Sequence, residues 1–259
     1  MRHISFNKII AVLVPVIVIA AIAFGASQCR SATSASERLG NDTAEQPIIL
    51  AAGADRLPNE TASDWVTYAD HVVVATATDE AEIPPAQTEI DRGEGLIGRS
   101  VSMRIDRVLW SRPDAPKAAP ATWQRTSPGW QFTNGDTTNR SEFAMEHRPR
   151  IEVGHTYIIA LEWQAEQCSE GDYTPGQWLG LGSESTIPYD DSTIGVGEVE
   201  GSVQDAAEAE KAAASDPAST VENDMTGQSA TDLAGALAEA TPAPGVAPLA
   251  ASSDATPCS

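Results

Sequence analysis

The sequence predicts a mainly β fold, a small barrel with one short N-terminal helix, preceded by an apolar anchor helix and followed by a disordered acidic tail. Three observations predict it. Apolar residues recur with period two through the middle of the chain, the spacing of half-buried strands. All six Trp lie between Trp65 and Trp178, and no aromatic follows Tyr189, so the material for a core is confined to that stretch. An unbroken apolar run, Ile9 to Phe24, stands behind Arg2, His3 and Lys8.

That run assigns residues 1–28 to a signal or anchor segment. Cations followed by an apolar stretch are what the secretory machinery reads, and the positive-inside rule then places the rest of the chain outside the cytoplasm. The run is close to the ~17 residues needed to cross a ~30 Å hydrocarbon layer. Ala26-Ser27-Gln28 before Cys29 resembles a bacterial lipoprotein processing site, with Gln28 where a small residue is usual. A retained helix, a cleaved leader and a lipid-modified Cys29 all remain open, and all three require export. Residues 29–60 carry no aromatic and read as a stalk or linker.

Residues 61–195 hold the β domain. Ser63 can cap a short helix over Asp64 to Ala69. Val72 to Thr78 is dense in β-branched residues and reads as a buried strand. Asp79 to Gly98, with Pro84-Pro85, reads as a long loop. Val101, Met103 and Ile105 alternate with Ser102, Arg104 and Asp106, a half-buried strand running to Trp110. Prolines at 113, 116, 120 and 128 predict an irregular stretch. Trp130-Gln131-Phe132 reads as a short strand before the Asn134-Gly135 turn. Val153-Gly154 opens a strand from Tyr157 to Trp163, and Gln177 to Leu181 and Ser185 to Pro188 add short ones. Residues 196–259 are Ala, Pro, Ser and acid-rich, too poor in large apolar groups to offset the ~1–2 kcal/mol per residue of backbone ordering. Within them Val203 to Ser215 and Thr231 to Ala240 have good helix propensity but narrow apolar stripes, which predicts marginal helices in a disordered tail.

Ala69-Asp70 before a valine strand, Val101 to Leu109, and Glu152-Val153-Gly154-His155-Thr156-Tyr157 before an apolar strand resemble a group of exported bacterial OB-like domains, similar in outline to netrin and metalloproteinase-inhibitor barrels. The resemblance covers residues 63 to 190 and implies an OB-like barrel. It does not extend to metalloprotease inhibition, because the chain lacks both the disulfide-rich pattern and the N-terminal metal-ligating Cys of those inhibitors.

The motifs for chemistry are few. Gly93-Glu94-Gly95-Leu96-Ile97-Gly98 matches GxGxxG but follows a polar loop and precedes a strand, the reverse of a dinucleotide site. His71, His147 and His155 are scattered, with no Cys at zinc spacing. Gly182-Ser183-Glu184-Ser185 lacks the second glycine of a nucleophile elbow, and Asp190-Asp191 reads as a solvated turn. No motif points to a cofactor. The formal charge is -21, yet Arg92 to Arg150 holds ten Lys/Arg against six acids. The acidic remainder disfavours nucleic acid as a partner.

Three cysteines leave an odd one. With Cys29 at the membrane end, Cys168 and Cys258 are the available pair, closing a loop of about 90 residues worth roughly 4–5 kcal/mol by chain-entropy arithmetic. The expected function is a non-enzymatic, surface-tethered binding or structural module of the envelope, partnered by the membrane through its N-terminal segment and by an envelope or protein ligand. Two alternatives stand beside it. One is an envelope hydrolase whose carboxylates the fold assembles. The other is an extracytoplasmic inhibitor or regulator docking through the 110–130 loop, with Trp123 and Trp130 at the interface. Paired acids in a cleft favour the hydrolase, and an apolar or cation-lined groove without them favours binding.

Overall fold

A computed structural model describes residues 47–169 and 172–244. The expected anchor at 1–28, Cys29, the first part of the stalk, Cys258 and residues 245–259 lie outside the described residues. Among the described residues no helix is long and apolar enough to cross a membrane.

The architecture is mainly β. In chain order the elements are β1 (Ile49–Ala51), α1 (Ala62–Tyr68), β2 (His71–Ile83), α2 (Gln87–Arg92), β3 (Glu94–Ser111), β4 (Thr122–Thr133) and β5 (Asp136–Met145). They continue with β6 (Thr156–Gln164), β7 (Gln167–Ser169), β8 (Asp172–Thr174), β9 (Gln177–Gly180), β10 (Thr186–Pro188), β11 (Gly197–Val199) and β12 (Ser202–Gln204). Three helices follow, α3 (Ala206–Ser215), α4 (Val221–Met225) and α5 (Ala230–Glu239). The main sheet runs β1-β5-β4-β3-β2-β6-β10, with β9 beside β10 along the same edge of β6. Only the β1–β5 pair is parallel.

This path does not close, which corrects the expected barrel. Three register shifts between β2 and β3 bend the sheet strongly, but β4 pairs with β5 only from Trp130 onward. Its first half, from Thr122 to Gly129, has β3 on one side and, among the described residues, no strand on the other. The seam between that free edge and β9 is crossed by side chains rather than by backbone pairing: the Trp123 indole Nε1 donates to the Trp178 carbonyl at 3.0 Å.

Both faces of the sheet are covered, which accounts for the near-continuous apolar run in β2. Val73, Ala75, Val101, Met103, Tyr157, Ile159 and Leu161 face the concave side. Val72, Val74, Ile158, Ala160 and Ile187 face the other, where Leu57, Trp65, Val221, Met225, Leu233 and Leu237 complete the core. The disordered tail is therefore corrected as far as residue 244: α4 and α5 dock on the sheet. Their stripes are narrow: Val221 and Met225 in α4, and Leu233 and Leu237 with the small Ala230 in α5. Trp65 and Tyr189 on the receiving face supply the bulk those helices lack. Capping boxes start α3 at Asp205 with Glu208 and α5 at Ser229 with Asp232. The stalk is corrected likewise from residue 47, because β1 joins the sheet and Leu57 and Asn59 are buried.

Smaller corrections have local causes. Thr61, not Ser63, caps α1, in a capping box with Asp64. The expected 79–98 loop is mostly regular: β2 continues to Ile83, α2 fills a turn after Pro84-Pro85, and Gly93 ends it in the left-handed region at φ 97°. Gly95 and Gly98 of the glycine motif then lie within β3, and a Cβ on Gly95 would come within 2.9 Å of the Phe132 ring. The Asn134-Gly135 turn stands as expected, both residues at positive φ.

A buried polar strut joins β4, the 148–152 segment and β11. Ile151 is fully buried at φ 68°, a region β-branched residues rarely enter. The Glu198 carboxylate holds it there, accepting the N–H groups of Arg150 and Ile151 at 2.9 Å each, Gly201 N–H at 2.7 Å and the Tyr157 hydroxyl at 2.8 Å. On the other side the Arg150 carbonyl accepts Arg99 Nη2 at 2.5 Å and Ser127 Oγ at 3.0 Å. Arg99 has no exposed side-chain surface and pairs with Glu80 at 2.6 Å.

Candidate functional site

The residues of β4 from Trp123 to Gly129 alternate across the sheet, so Trp123, Arg125 and Ser127 share the concave face. Trp123 is buried among apolar neighbours, 6% exposed, and Arg125 stands two residues on, where the pattern calls for another apolar group. Its guanidinium lies 5.7 Å from the Trp123 ring centroid, and its Nη1 donates to Thr186 Oγ1 at 2.9 Å. Gly180 of β9 backs it closely: a Cβ there would sit 3.3 Å from Arg125 Nη1.

Arg125 opens into a cleft of about 470 Å³ along the seam, walled by β4, β9, the 145–150 segment and residues 54–56. That volume is in the range of small-ligand sites, roughly 300–1,000 Å³. Four arginines line it, Arg56, Arg125, Arg148 and Arg150. Three are neutralised: Arg56 pairs with Glu162, Arg148 with Glu184, and Arg150 with Glu152. Among the described residues Arg125 has a hydroxyl partner and no carboxylate. Burial pushes its pKa down to about 10, opposed by the nearby Tyr157, and it remains a cation at neutral pH. Arg125 is half-buried, and a cation in a cleft with no carboxylate beside it attracts an anion of matching reach.

Arg148 also borders a second cavity of about 560 Å³ between the 147–148 segment, α3 and α4, where Glu222 faces it. Burial raises the Glu222 carboxyl to about 7 from its ordinary 4.5, with Arg148 acting against the shift. A carboxyl raised in the folded state holds an extra proton there between those two values. Stability is therefore expected to fall as pH rises from about 4.5 to about 7, and to level off above. Replacing Glu222 by Gln should flatten that slope and add about 2–3 kcal/mol at pH 8, measured by urea unfolding across pH.

The other singled-out residues hold the frame together. The interface expectation for Trp123 is corrected: its indole is buried and bridges the seam. Trp130 is half-buried, with Arg140 at 4.2 Å and Arg150 at 5.2 Å from its ring. The 110–130 loop shrinks to 112–121, because β3 reaches Ser111 and β4 starts at Thr122. His71 is buried and fastens that loop through Ser111 Oγ and the Lys117 carbonyl, each at 2.8 Å. His155 Nδ1 meets Asp190 Oδ2 at 2.5 Å, so Asp190 is a paired residue rather than half of a solvated turn. His147 is exposed. Ser183 donates through N–H and Oγ to Asp55 at 2.8 and 2.5 Å, which pins the 52–60 segment. Cys168 is disulfide-bonded. Among the described residues no group of three or more His, Cys, Asp or Glu is arranged for a metal ion.

No motif in the sequence marks Arg125; its one signal is a cation interrupting an alternating stretch between Trp123 and Ser127, close to the strand-breaking Pro128.

No family model, curated protein or solved structure matches this chain.

Proposed function

We propose that the chain is a non-enzymatic binding module of the cell envelope, exported and tethered through its N-terminal segment, which takes an anionic ligand in the Arg125 cleft. The observation that carries this reading is the unpaired guanidinium of Arg125 in a cleft whose other three arginines each have a carboxylate. The OB-like outline belongs to the same proposal. Its support is the antiparallel run β5-β4-β3-β2-β6, and the open seam is its departure.

The rival readings have weaker support. The acids nearest the cleft are already engaged: Asp55 with Ser183, Asp64 in the cap of α1, Glu162 with Arg56 and Glu184 with Arg148. Docking through the 110–130 loop loses Trp123 to the core.

The test is anion binding by the full chain in neutral detergent, with acetate and inorganic phosphate as probes. Either anion is expected to raise Tm in the wild type and to leave Arg125→Gln unmoved. A variant that still responds to both anions overturns the reading.

The Cys168–Cys258 bridge is kept as part of this proposal. The chain at Thr241 to Ala243 lies along α1, with Ser63 Oγ donating to the Thr241 carbonyl at 2.6 Å and Ala243 N–H to Thr67 Oγ1 at 2.7 Å. About 14 further residues lead to Cys258 and can span up to ~45 Å when extended. Non-reducing peptide mapping of chain taken from the envelope should yield a Cys168–Cys258 crosslink; a Cys168 peptide joined to Cys29 contradicts it. Membrane fractionation with Cys29→Ser separates lipid attachment from a retained helix.

A further inference from the structure

The free edge beside Arg125 carries more than an anion site. Ile105 N–H donates to the Ala121 carbonyl at 3.0 Å, and that bond sets the phase of the β3–β4 ladder. Residues 121, 123, 125 and 127 direct their backbone groups to β3, so Gln124 and Thr126 direct theirs away from it. Among the described residues nothing pairs with those two N–H and two C=O groups. Pro128, the next outward-facing position, has no N–H to offer, as suits an edge. Across the seam the Trp178 carbonyl points inward to Trp123, so by the alternation of β9 the backbone of Gly180 faces the seam as well.

We propose that this edge accepts an extended acidic peptide as an added strand, with an Asp or Glu placed opposite Arg125. The proposal rests on the anionic-ligand reading and narrows it to one class. An added strand would take up to four main-chain hydrogen bonds from Gln124 and Thr126. Directly opposed residues have their side chains on the same face, with Cβ atoms about 4.5–5.5 Å apart. The carboxylate opposite Arg125 therefore enters the cleft where the unpaired guanidinium waits, while the peptide backbone satisfies the open edge. Main-chain pairing supplies affinity and the Arg125 pocket supplies specificity, the division of labour in strand-addition recognition.

Charge decides against a second copy of this chain as the occupant. Antiparallel pairing of two β4 edges centred on Arg125 would oppose two guanidiniums, and like charges directly opposite are destabilising. The carboxylate requirement likewise excludes a neutral strand, because it would bury Arg125 unpaired.

The test uses the full chain in neutral detergent with three probes of one length. The first is a capped pentapeptide with a central Glu flanked by Val and Thr, the second has Gln for that Glu, and the third is the Glu peptide N-methylated at alternate amides. Isothermal titration gives affinity, and hydrogen exchange gives protection at the amides of Gln124 and Thr126. The Glu peptide is expected to bind and to slow exchange at both amides. The Gln peptide should bind at least about 30-fold more weakly, the scale of losing one partner of a buried charge pair. The N-methylated peptide should lose the protection.

Each outcome discriminates. Equal binding of the Glu and N-methylated peptides, or binding without protection at residues 124 and 126, overturns strand addition while the anion site stands. Acetate raising Tm with no binding of the Glu peptide has the same meaning. Failure of acetate, phosphate and the peptide together removes both readings. Full protection of Gln124 and Thr126 before any peptide is added would mean that the edge is already occupied, and strand addition by a partner fails.

Discussion

A chain ending at Gln204 is expected to lose its folded state altogether. The cut removes α3, α4 and α5, and with them Val221, Met225, Leu233 and Leu237 from the core shared with Trp65, Ile158 and Ile187. Each such side chain contributes about 1.5–3 kcal/mol on burial, so the four together come to about 6–12 kcal/mol. An extended reference for the unfolded chain makes that an upper estimate. A domain of this kind has about 5–15 kcal/mol in total, so the loss is comparable with the whole. The truncated chain would also expose Trp65, which is fully buried in the intact fold. Near-UV circular dichroism and urea unfolding decide the matter: no cooperative transition is expected. A chain ending at Pro244 keeps all three helices and is the control; with the cysteines of both chains reduced, it should unfold as the full chain does. Leu233→Ala should fall between, losing about 2–5 kcal/mol. An unchanged urea midpoint after cutting at Gln204 would mean that the helices rest on the sheet without stabilising it.

Glu198→Ala should be the most damaging single substitution, at about 3–5 kcal/mol. One carboxylate, 1% exposed, satisfies four donors. Its removal orphans the buried N–H groups of Arg150 and Ile151, and each unmet donor costs about 1–3 kcal/mol. It also releases the clamp on Ile151, whose left-handed backbone has no other support on that side. Tyr157→Phe removes two hydrogen bonds, the one donated to Glu198 and the one accepted from Glu152 N–H at 2.9 Å, and should cost about 1–3 kcal/mol. Burial and the neighbouring Glu198 both push the Tyr157 hydroxyl upward, so it stays a proton donor across the ordinary pH range. Chemical denaturation of the two variants at pH 7 checks the ratio. Equal losses would show that the strut is not organised around Glu198.

The parts of the fold that could be read from the sequence are those where one physical signal acts alone. The β2 and β6 strands declare themselves by β-branched density, and the β4–β5 turn by Asn134-Gly135. The helices of the last third were also visible as propensity, and their caps at Asp205 and Ser229 are plain in the sequence. What hid their docking is that a helix whose only large stripe residues are Leu233 and Leu237 gains its burial from the partner face, here Trp65 and Tyr189. β5 escaped notice because its residues, Asp136 to Met145, are mostly polar and half-exposed. The site was the least legible part. Its central residue is defined by the absence of a partner, and absence is a property of three-dimensional neighbours that Arg56, Arg148 and Arg150 have and Arg125 lacks.

The contact between α1 and the end of α5 imposes an order in time. Trp65 leaves the ribosome early, but Leu233 and Leu237, which seal the same cluster, emerge only after about 170 more residues. At roughly 5–20 residues per second that is a wait of about 10–30 s with the aromatic core uncovered. The strands of the main sheet are all made by Pro188, but the cluster around Trp65 closes only once α4 and α5 have followed. Until then the newly made chain depends on whatever shields Trp65.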